Sequence, residues 1–119
     1  MALYTPSFKN KFSFEKRFSE SKKVLEKYSD RIPIICERSS SDLPDINKIK
    51  YLVPLDLTVG QFLYIIRNRI NLKPEEALFL IISNNIFSSS IMIGTLYDFY
   101  KDADGFLYVK YCKENTFGL

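Results

Sequence analysis

The sequence predicts an α+β fold, in which a mixed four-stranded sheet packs on a crossover helix and follows two N-terminal helices. Three observations support this fold class: a charged segment with helical spacing at 7–28, four later strand-like segments, and a well-capped helix between the second and third of those strands. Such an order buries its apolar faces in a mixed sheet covered by helices. The 119 residues, 46% of them hydrophobic, suffice for one domain with one core.

The N-terminal segment is a basic amphipathic helix. Ser13 is a plausible N-cap, Glu15 suits the positive end of the helix dipole, and Pro6 marks a shorter helix or turn before it. The predicted apolar stripe consists of Phe14, Phe18, Ser21, Leu25 and Tyr28, with Val24 beside it. The opposite face carries Lys16, Arg17, Lys23 and Lys27. Solvation alone explains a basic face of this kind.

Two strands that contain prolines come next, at 31–37 and 51–55. The first alternates between two faces, with Ile32, Ile34 and Cys36 on one and Pro33, Ile35 and Glu37 on the other. Because proline cannot donate to a ladder, Pro33 fits an edge or the start of a strand. For the same reason, Pro54 predicts that the second strand has one free edge.

The crossover helix has the clearest start signal in the chain. Thr58 and Gln61 have capping-box spacing, and 71–74 end the helix. Its apolar stripe consists of Val59, Phe62, Ile66 and Ile70.

The last third of the chain completes the sheet. The uninterrupted apolar run at 78–82 predicts a central buried strand, and 86–87 leaves room for a brief returning strand. A short helix at 92–100 and an alternating strand at 106–112 follow. This order is compatible with the ubiquitin-like β-grasp. We expect a helical extension over 1–29, a core over 30–112 and a flexible tail over 113–119.

Composition excludes several classes of function. The chain has no histidine, so His-based catalytic triads and His-ligated metals are excluded. Cys36 and Cys112 are far apart and lie in apolar strands, which is typical of buried, reduced thiols. No signal peptide or membrane-spanning run is present, and we expect a soluble cytosolic protein.

Charge is concentrated at the N-terminus but is too weak to indicate a nucleic-acid binder. The net charge is +3, of which residues through Arg31 contribute +4 and the rest −1. We therefore expect no nucleic-acid partner, no catalytic residue and no cofactor or metal.

Five collinear segments carry a resemblance to a known family. They are KYSDRIP at 27–33, KYLVP at 50–54, DLTVGQF at 56–62, DGFLY at 104–108 and ENTFG at 114–118. Together they strongly resemble the autophagy ubiquitin-like modifiers, the relatives of GABARAP and microtubule-associated protein light chain 3. The likeness runs from about Phe8 to the C-terminus.

The resemblance implies a protein that is an enzyme substrate and has no enzymatic activity of its own. A cysteine protease would remove Leu119, and activating and conjugating enzymes would then join Gly118 to phosphatidylethanolamine. Glycine suits a carboxyl group that must enter several active sites, because it has no Cβ and few backbone restrictions. The alternative is that Gly118 is only a frayed terminal residue. The resemblance also implies a cytoplasmic protein that lies on autophagosomal or related vesicle membranes when lipidated.

The resemblance further implies a peptide-binding groove along the second strand, for cargo receptors that carry an aromatic residue and, three positions later, an aliphatic one. An aromatic pocket would involve Glu20, Val24, Pro33, Leu52 and Phe106. An aliphatic pocket would involve Tyr51, Val53, Pro54, Leu57, Phe62 and Ile65. Arg31, Lys48 and Lys50 would attract acidic residues before the motif, and Arg69 would contact partners that include the protease.

Ordinary core packing is the alternative for the apolar members of both pockets, notably Val24 and Phe62. Tyr51 and Leu52 are more informative, because a two-sided strand of a small domain cannot bury both fully. The second candidate function is an unconjugated adaptor in vesicle trafficking or on microtubules, which would use the same groove and the basic arm. The chain departs from the family at 87–90, where a Pro-Pro-Thr stretch is usual, and at Phe18, usually polar or basic.

Overall fold

The computed structural model describes residues 7–113. In this part of the chain the helices are α1 (Phe8–Lys11), α2 (Phe14–Lys27), α3 (Val59–Arg67) and α4 (Ile93–Tyr100). The strands are β1 (Arg31–Arg38), β2 (Lys50–Pro54), β3 (Leu78–Ile82), β4 (Asn85–Ile86) and β5 (Leu107–Lys113). None of these helices is long and apolar enough to cross a membrane. The predicted α+β class is confirmed, and two helices precede the sheet as expected.

The strands form one mixed sheet in the order β2-β1-β5-β3-β4. Strands β1 and β5 are parallel and the other neighbours are antiparallel. The described sheet has five strands rather than the expected four, because the two-residue β4 returns beside β3. Ser83 and Asn84, at the turn between them, both have positive φ, which is the backbone of a tight type I′ hairpin.

The prediction that 78–82 is a central buried strand was wrong. The centre of the sheet is β5, and β3 has only the two-residue β4 on its outer side. Leu80 and Ile82 are buried, while the other three residues of β3 are half-buried. The helix α2 packs over β1, which is two strands away from β3 in the sheet order. It therefore does not fully cover β3, and the face of β3 that points away from α3 stays partly exposed.

Within residues 7–113, both prolines lie where a strand lacks a neighbour. Pro54 is in β2, the first strand of the sheet order, so the predicted free edge is confirmed. Pro33 pairs with Leu52 of β2, but the ladder to β5 begins only at Ile34. The internal strand β1 therefore tolerates a proline because its first residues have a neighbour on one side only.

The backbone N–H groups at the start of α3 donate to acceptors both nearby and distant in the sequence. The predicted capping box is present, with Thr58 and Gln61 bonding each other's backbone N–H. The N–H groups of Val59 and Gly60 donate to the carbonyls of Ile91 and Ser89. These bonds tie the crossover helix to the segment before α4, so first-turn N–H groups of α3 are not left unpaired.

The predicted apolar stripe of α2 is only partly the buried face. Phe14 and Phe18 are exposed and stack on each other with ring centroids 5.8 Å apart. The residue that α2 buries is Ser21, whose hydroxyl donates to the carbonyl of Asp104. Gly105 has a φ of 91°, and a Cβ there would overlap Ser21 Oγ. Small residues on both sides therefore bring α2 directly onto the turn before β5.

A buried carboxylate joins α2 to the sheet. Asp104 is fully buried and accepts hydrogen bonds from Arg17 Nη1 at 2.5 Å, Tyr108 Oη at 2.5 Å and the Phe106 N–H at 2.9 Å. Burial and the hydrogen bond to Asp104 raise the pKa of Tyr108, so its hydroxyl remains a donor at neutral pH. A more exposed pair, Lys9 with Asp102 at 2.5 Å, ties α1 to the same turn.

Asp104→Asn should lower the free energy of unfolding by about 3 kcal/mol, because an amide N–H would then face the Arg17 and Tyr108 donors and leave the cation uncompensated. Asp102→Asn is the matched control and should cost less than about 1 kcal/mol, since its partner Lys9 is half-exposed. Urea unfolding followed by circular dichroism measures both. Equal losses for the two variants would contradict this ranking.

Candidate functional site

Strand β2 presents a free edge to solvent in the described part of the chain. Its one neighbour is β1, with the antiparallel register Arg31–Pro54 to Ile35–Lys50. The outward backbone groups of such a strand can pair with an added extended chain. The edge of β2 is therefore the element on which the candidate site is built.

The side chains of β2 alternate between two differently covered faces. Tyr51 and Val53 point into the core below α3, where they are 7% and 5% exposed. Leu52 lies on the other face, toward α2, and is half-buried. As expected, only one of Tyr51 and Leu52 is fully buried. A chain along this edge would therefore meet a different apolar surface on each side of the sheet.

The residues of the predicted aromatic pocket meet on the α2 side. Pro33 and Leu52 are cross-strand partners, and Phe106 precedes the β5 residue that pairs with Ile34. Glu20 reaches the same face from α2, since its carboxylate lies 2.7 Å from Lys50 Nζ. Val24 is half-buried one turn farther along α2. Pro33 and Phe106 are buried, so Leu52 and the two α2 residues supply the accessible part of this set.

Phe8 belongs to this region and was missed by sequence reasoning. Its ring is 2% exposed and clusters with Ile35 and Phe106, with the Phe8 and Phe106 centroids 5.4 Å apart. Lys50 Nζ lies 5.3 Å from the Phe8 ring centroid. The sequence signal was the capping serine before it, Ser7, which accepts from the Asn10 N–H at the start of α1. Phe8 thus anchors α1 beneath the pocket.

The predicted aliphatic pocket lies on the α3 side and is largely core. The Tyr51 and Phe62 rings form an edge-to-face pair with centroids 5.4 Å apart, and both rings and Val53 are buried. For these three residues, core packing explains their apolar character. Pro54 is exposed, and Leu57 and Ile65 are half-buried. These three residues supply the accessible apolar surface of the set.

The predicted basic residues have different surroundings. Lys48 Nζ and Arg69 Cζ lie 5.2 and 5.8 Å from the centroid of the Tyr51 ring, which places two cations beside the aliphatic set. Lys50 is paired with Glu20. Arg31 is exposed at the start of β1. Burial raises the pKa of Tyr51 to about 12, so this ring is neutral at physiological pH and its face is available to both cations.

The described residues contain no cluster of three or more His, Cys, Asp or Glu side chains that could hold a metal ion, and both cysteines are buried and free. Burial raises the pKa of Cys112 to about 11, and that of Cys36 is raised further for the same reason. Both thiols are therefore protonated at neutral pH, as expected for small core residues.

The geometry of the free β2 edge suits binding of an extended chain.

The predicted processing site lies outside the described residues. Gly118, Leu119 and the rest of 114–119 follow β5, which ends at Lys113.

A family model and related sequences match this chain and agree with one another. Residues 16–118 match the family model described as autophagy protein Atg8, ubiquitin-like. Autophagy-related protein 8 of Schizosaccharomyces pombe is 54% identical over 112 residues, which cover 93% of each chain. That of Kluyveromyces marxianus is 52% identical over 113 residues, covering 94% of this chain and 91% of the relative.

Two solved structures are similar over nearly the whole chain. Trypanosoma brucei ATG8 has a TM-score of 0.86 and 44% identity, covering 93% of this chain and 97% of that one. Plasmodium falciparum Atg8, in complex with a peptide of P. falciparum Atg3, has a TM-score of 0.83 and 38% identity, covering 92% and 98%.

Proposed function

The chain belongs to the Atg8 family of autophagy ubiquitin-like proteins, and on that premise we propose that it is conjugated through Gly118 to phosphatidylethanolamine and recruits proteins through short peptide motifs. Members of this family are ubiquitin-like modifiers and adaptors, not enzymes. The conjugate would act in autophagosome formation. The protein would be cytoplasmic, and would lie on autophagosomal or related vesicle membranes when lipidated.

Conjugation is supported by the extent of the family match. The match continues to residue 118, which is a glycine followed by one further residue. A processing cysteine protease would remove Leu119, and the new carboxylate would pass through an activating and a conjugating enzyme. The P. falciparum Atg8 structure contains an Atg3 peptide, which supports a conjugating-enzyme partner for this chain as well.

Peptide binding is supported above all by the free edge of β2 between two apolar sets on opposite sheet faces. A peptide that extends the sheet would have its backbone held by β2. Its aromatic side chain would contact Leu52 and Val24, and its aliphatic side chain would contact Leu57 and Ile65. The small contact area of a short peptide suits a transient complex.

The division into 1–29, 30–112 and 113–119 remains part of this proposal. In it, the N-terminal helices complete the aromatic pocket, the core carries the groove, and the tail carries the processed glycine to the enzymes.

An unconjugated adaptor on vesicles or microtubules is the second candidate. It is favoured by the exposed lysines of α2, namely Lys16, Lys22, Lys23 and Lys27. Such an adaptor would use the β2 groove but would not need Gly118.

Gly118→Ala should abolish membrane attachment in the organism's own cells, with at least a tenfold loss of the membrane-bound fraction, because the added Cβ obstructs cleavage and transfer. Fractionation and immunoblotting measure this. A chain shortened to end at Gly118 is the matched control and should attach without processing. Normal attachment of Gly118→Ala would refute conjugation and favour the unconjugated adaptor.

Leu52→Arg should weaken binding of a peptide with an aromatic-x-x-aliphatic motif by more than tenfold, since it puts a charge where the aromatic ring would pack. Because Leu52 is only half-buried, the fold should be retained. Tyr64→Arg introduces the same charge at a 67% exposed position of α3 and serves as control. Calorimetric titration that gives equal affinities for Leu52→Arg and the wild type would exclude this groove.

A further inference from the structure

The first residues of α4 hold the chain where it leaves β2 for α3. We call this segment, residues 54–57, the β2–α3 turn. Its Leu55 carbonyl accepts a hydrogen bond from the Gly94 N–H at 2.9 Å, and its Leu57 carbonyl accepts one from the Ile93 N–H at 2.7 Å. The N-cap residue of α4 makes no side-chain cap bond. The carbonyls of the turn therefore supply acceptors for first-turn N–H groups of α4.

The same pairing continues into the start of α3. Thr58 forms an antiparallel bridge with Met92. The Val59 N–H donates to the Ile91 carbonyl at 2.9 Å. Backbone contacts thus run along both segments, so a displacement at the start of α4 is passed to the β2–α3 turn.

Gly94 permits the close approach of α4 to this turn. A Cβ at position 94 would lie 2.7 Å from the Leu55 carbonyl oxygen and 3.4 Å from the Leu55 Cα. The first distance is too short for a carbon–oxygen contact, and the obstructing atom belongs to the backbone, so it cannot rotate away. A side chain at position 94 would therefore push the β2–α3 turn away from α4.

The β2–α3 turn carries part of the aliphatic set of the candidate groove. Pro54 and Leu57 are two of the three accessible residues of that set, and the Leu57 N–H donates to the Pro54 carbonyl at 3.2 Å. The third, Ile65, belongs to α3. The aromatic set has no residue in the turn. A shift of the turn would therefore change the spacing between Leu57 and Ile65 and leave the aromatic set in place.

We propose that Gly94 is a positioning residue for the aliphatic pocket, acting through Leu55 and Leu57 rather than through contact with the peptide. By letting α4 hold the β2–α3 turn, it sets the depth to which the aliphatic side chain of a bound peptide packs between Leu57 and Ile65. This inference rests on the proposed peptide binding at β2. Its measurable consequence is the preference for a large over a small aliphatic side chain at the last position of the motif.

The test compares two peptides that differ only at that position, where the aromatic-x-x-aliphatic motif ends in either Leu or Ala. The wild type should bind the Leu peptide roughly tenfold more tightly, since the larger side chain buries more apolar surface. Gly94→Ala should reduce this preference to about threefold or less and leave the affinity for the Ala peptide unchanged. Calorimetric titration measures both affinities.

Two control variants separate positioning from effects on stability. Thr95→Ala raises the helix propensity of α4 at the neighbouring exposed position, as Gly94→Ala does, but adds no atom next to the turn. Ile82→Val removes a buried methylene from β3, which is three strands away from β2 in the sheet order. Both should keep the wild-type preference for Leu, and circular dichroism checks that all three variants fold.

A second measurement uses the wild type alone and does not depend on how Gly94→Ala folds. The Leu peptide should displace the amide NMR resonances of Ile93 and Gly94, because their N–H groups are bonded to carbonyls of the turn. The Ala peptide should displace them less. Resonances that do not respond to the Leu peptide, or respond equally to both peptides, would overturn the positioning role.

The outcomes separate this inference from the proposed function. If neither peptide binds the wild type, peptide binding itself fails and the positioning role fails with it. If both peptides bind and Gly94→Ala keeps the wild-type preference for Leu, only the positioning role is overturned. The same holds if both peptides bind the wild type equally tightly.

Discussion

The contact between Arg17 and the buried Asp104 carboxylate determines where the N-terminal helices lie on the sheet. The same carboxylate accepts from Tyr108 and from the Phe106 N–H, and its backbone carbonyl accepts from Ser21. A single residue, Asp104 in the turn before β5, thus positions both α2 and Phe106. An isolated buried charge would be strongly unfavourable, and the orientation of α2 is constrained by the need to keep Arg17 against it.

The candidate groove depends on that constraint. Phe106 and Pro33 belong to the sheet, but Glu20 and Val24 come from α2, so the aromatic set exists only while α2 is held in place. The aliphatic set needs no such contact, because Tyr51 and Phe62 pack directly within the core. The two sides of the β2 edge therefore differ in how they are assembled: one depends on a polar contact, and the other on apolar burial.

Local signals in the sequence were sufficient to predict most helices and strands and the free edge of β2. The Thr58 capping box and Pro54 act within a few residues of their position, and both predictions were confirmed. Strand position within the sheet and the buried face of α2 depend on distant partners. Arg17 and Asp104 are 87 positions apart, and no local pattern predicts that Phe14 and Phe18 are exposed while Ser21, of the same predicted stripe, is buried. The pairing of Lys50 with Glu20 and the burial of Phe8 were missed for the same reason.

We propose that this ubiquitin-like protein becomes attached to a phospholipid through Gly118. The most direct measurement is the intact mass of the protein recovered from the membrane fraction of its own cells. We expect loss of Leu119 together with the mass of one phosphatidylethanolamine, and fragmentation should place that lipid on Gly118. An unmodified chain that still ends in Leu119, in growing and in starved cells alike, would contradict the claim.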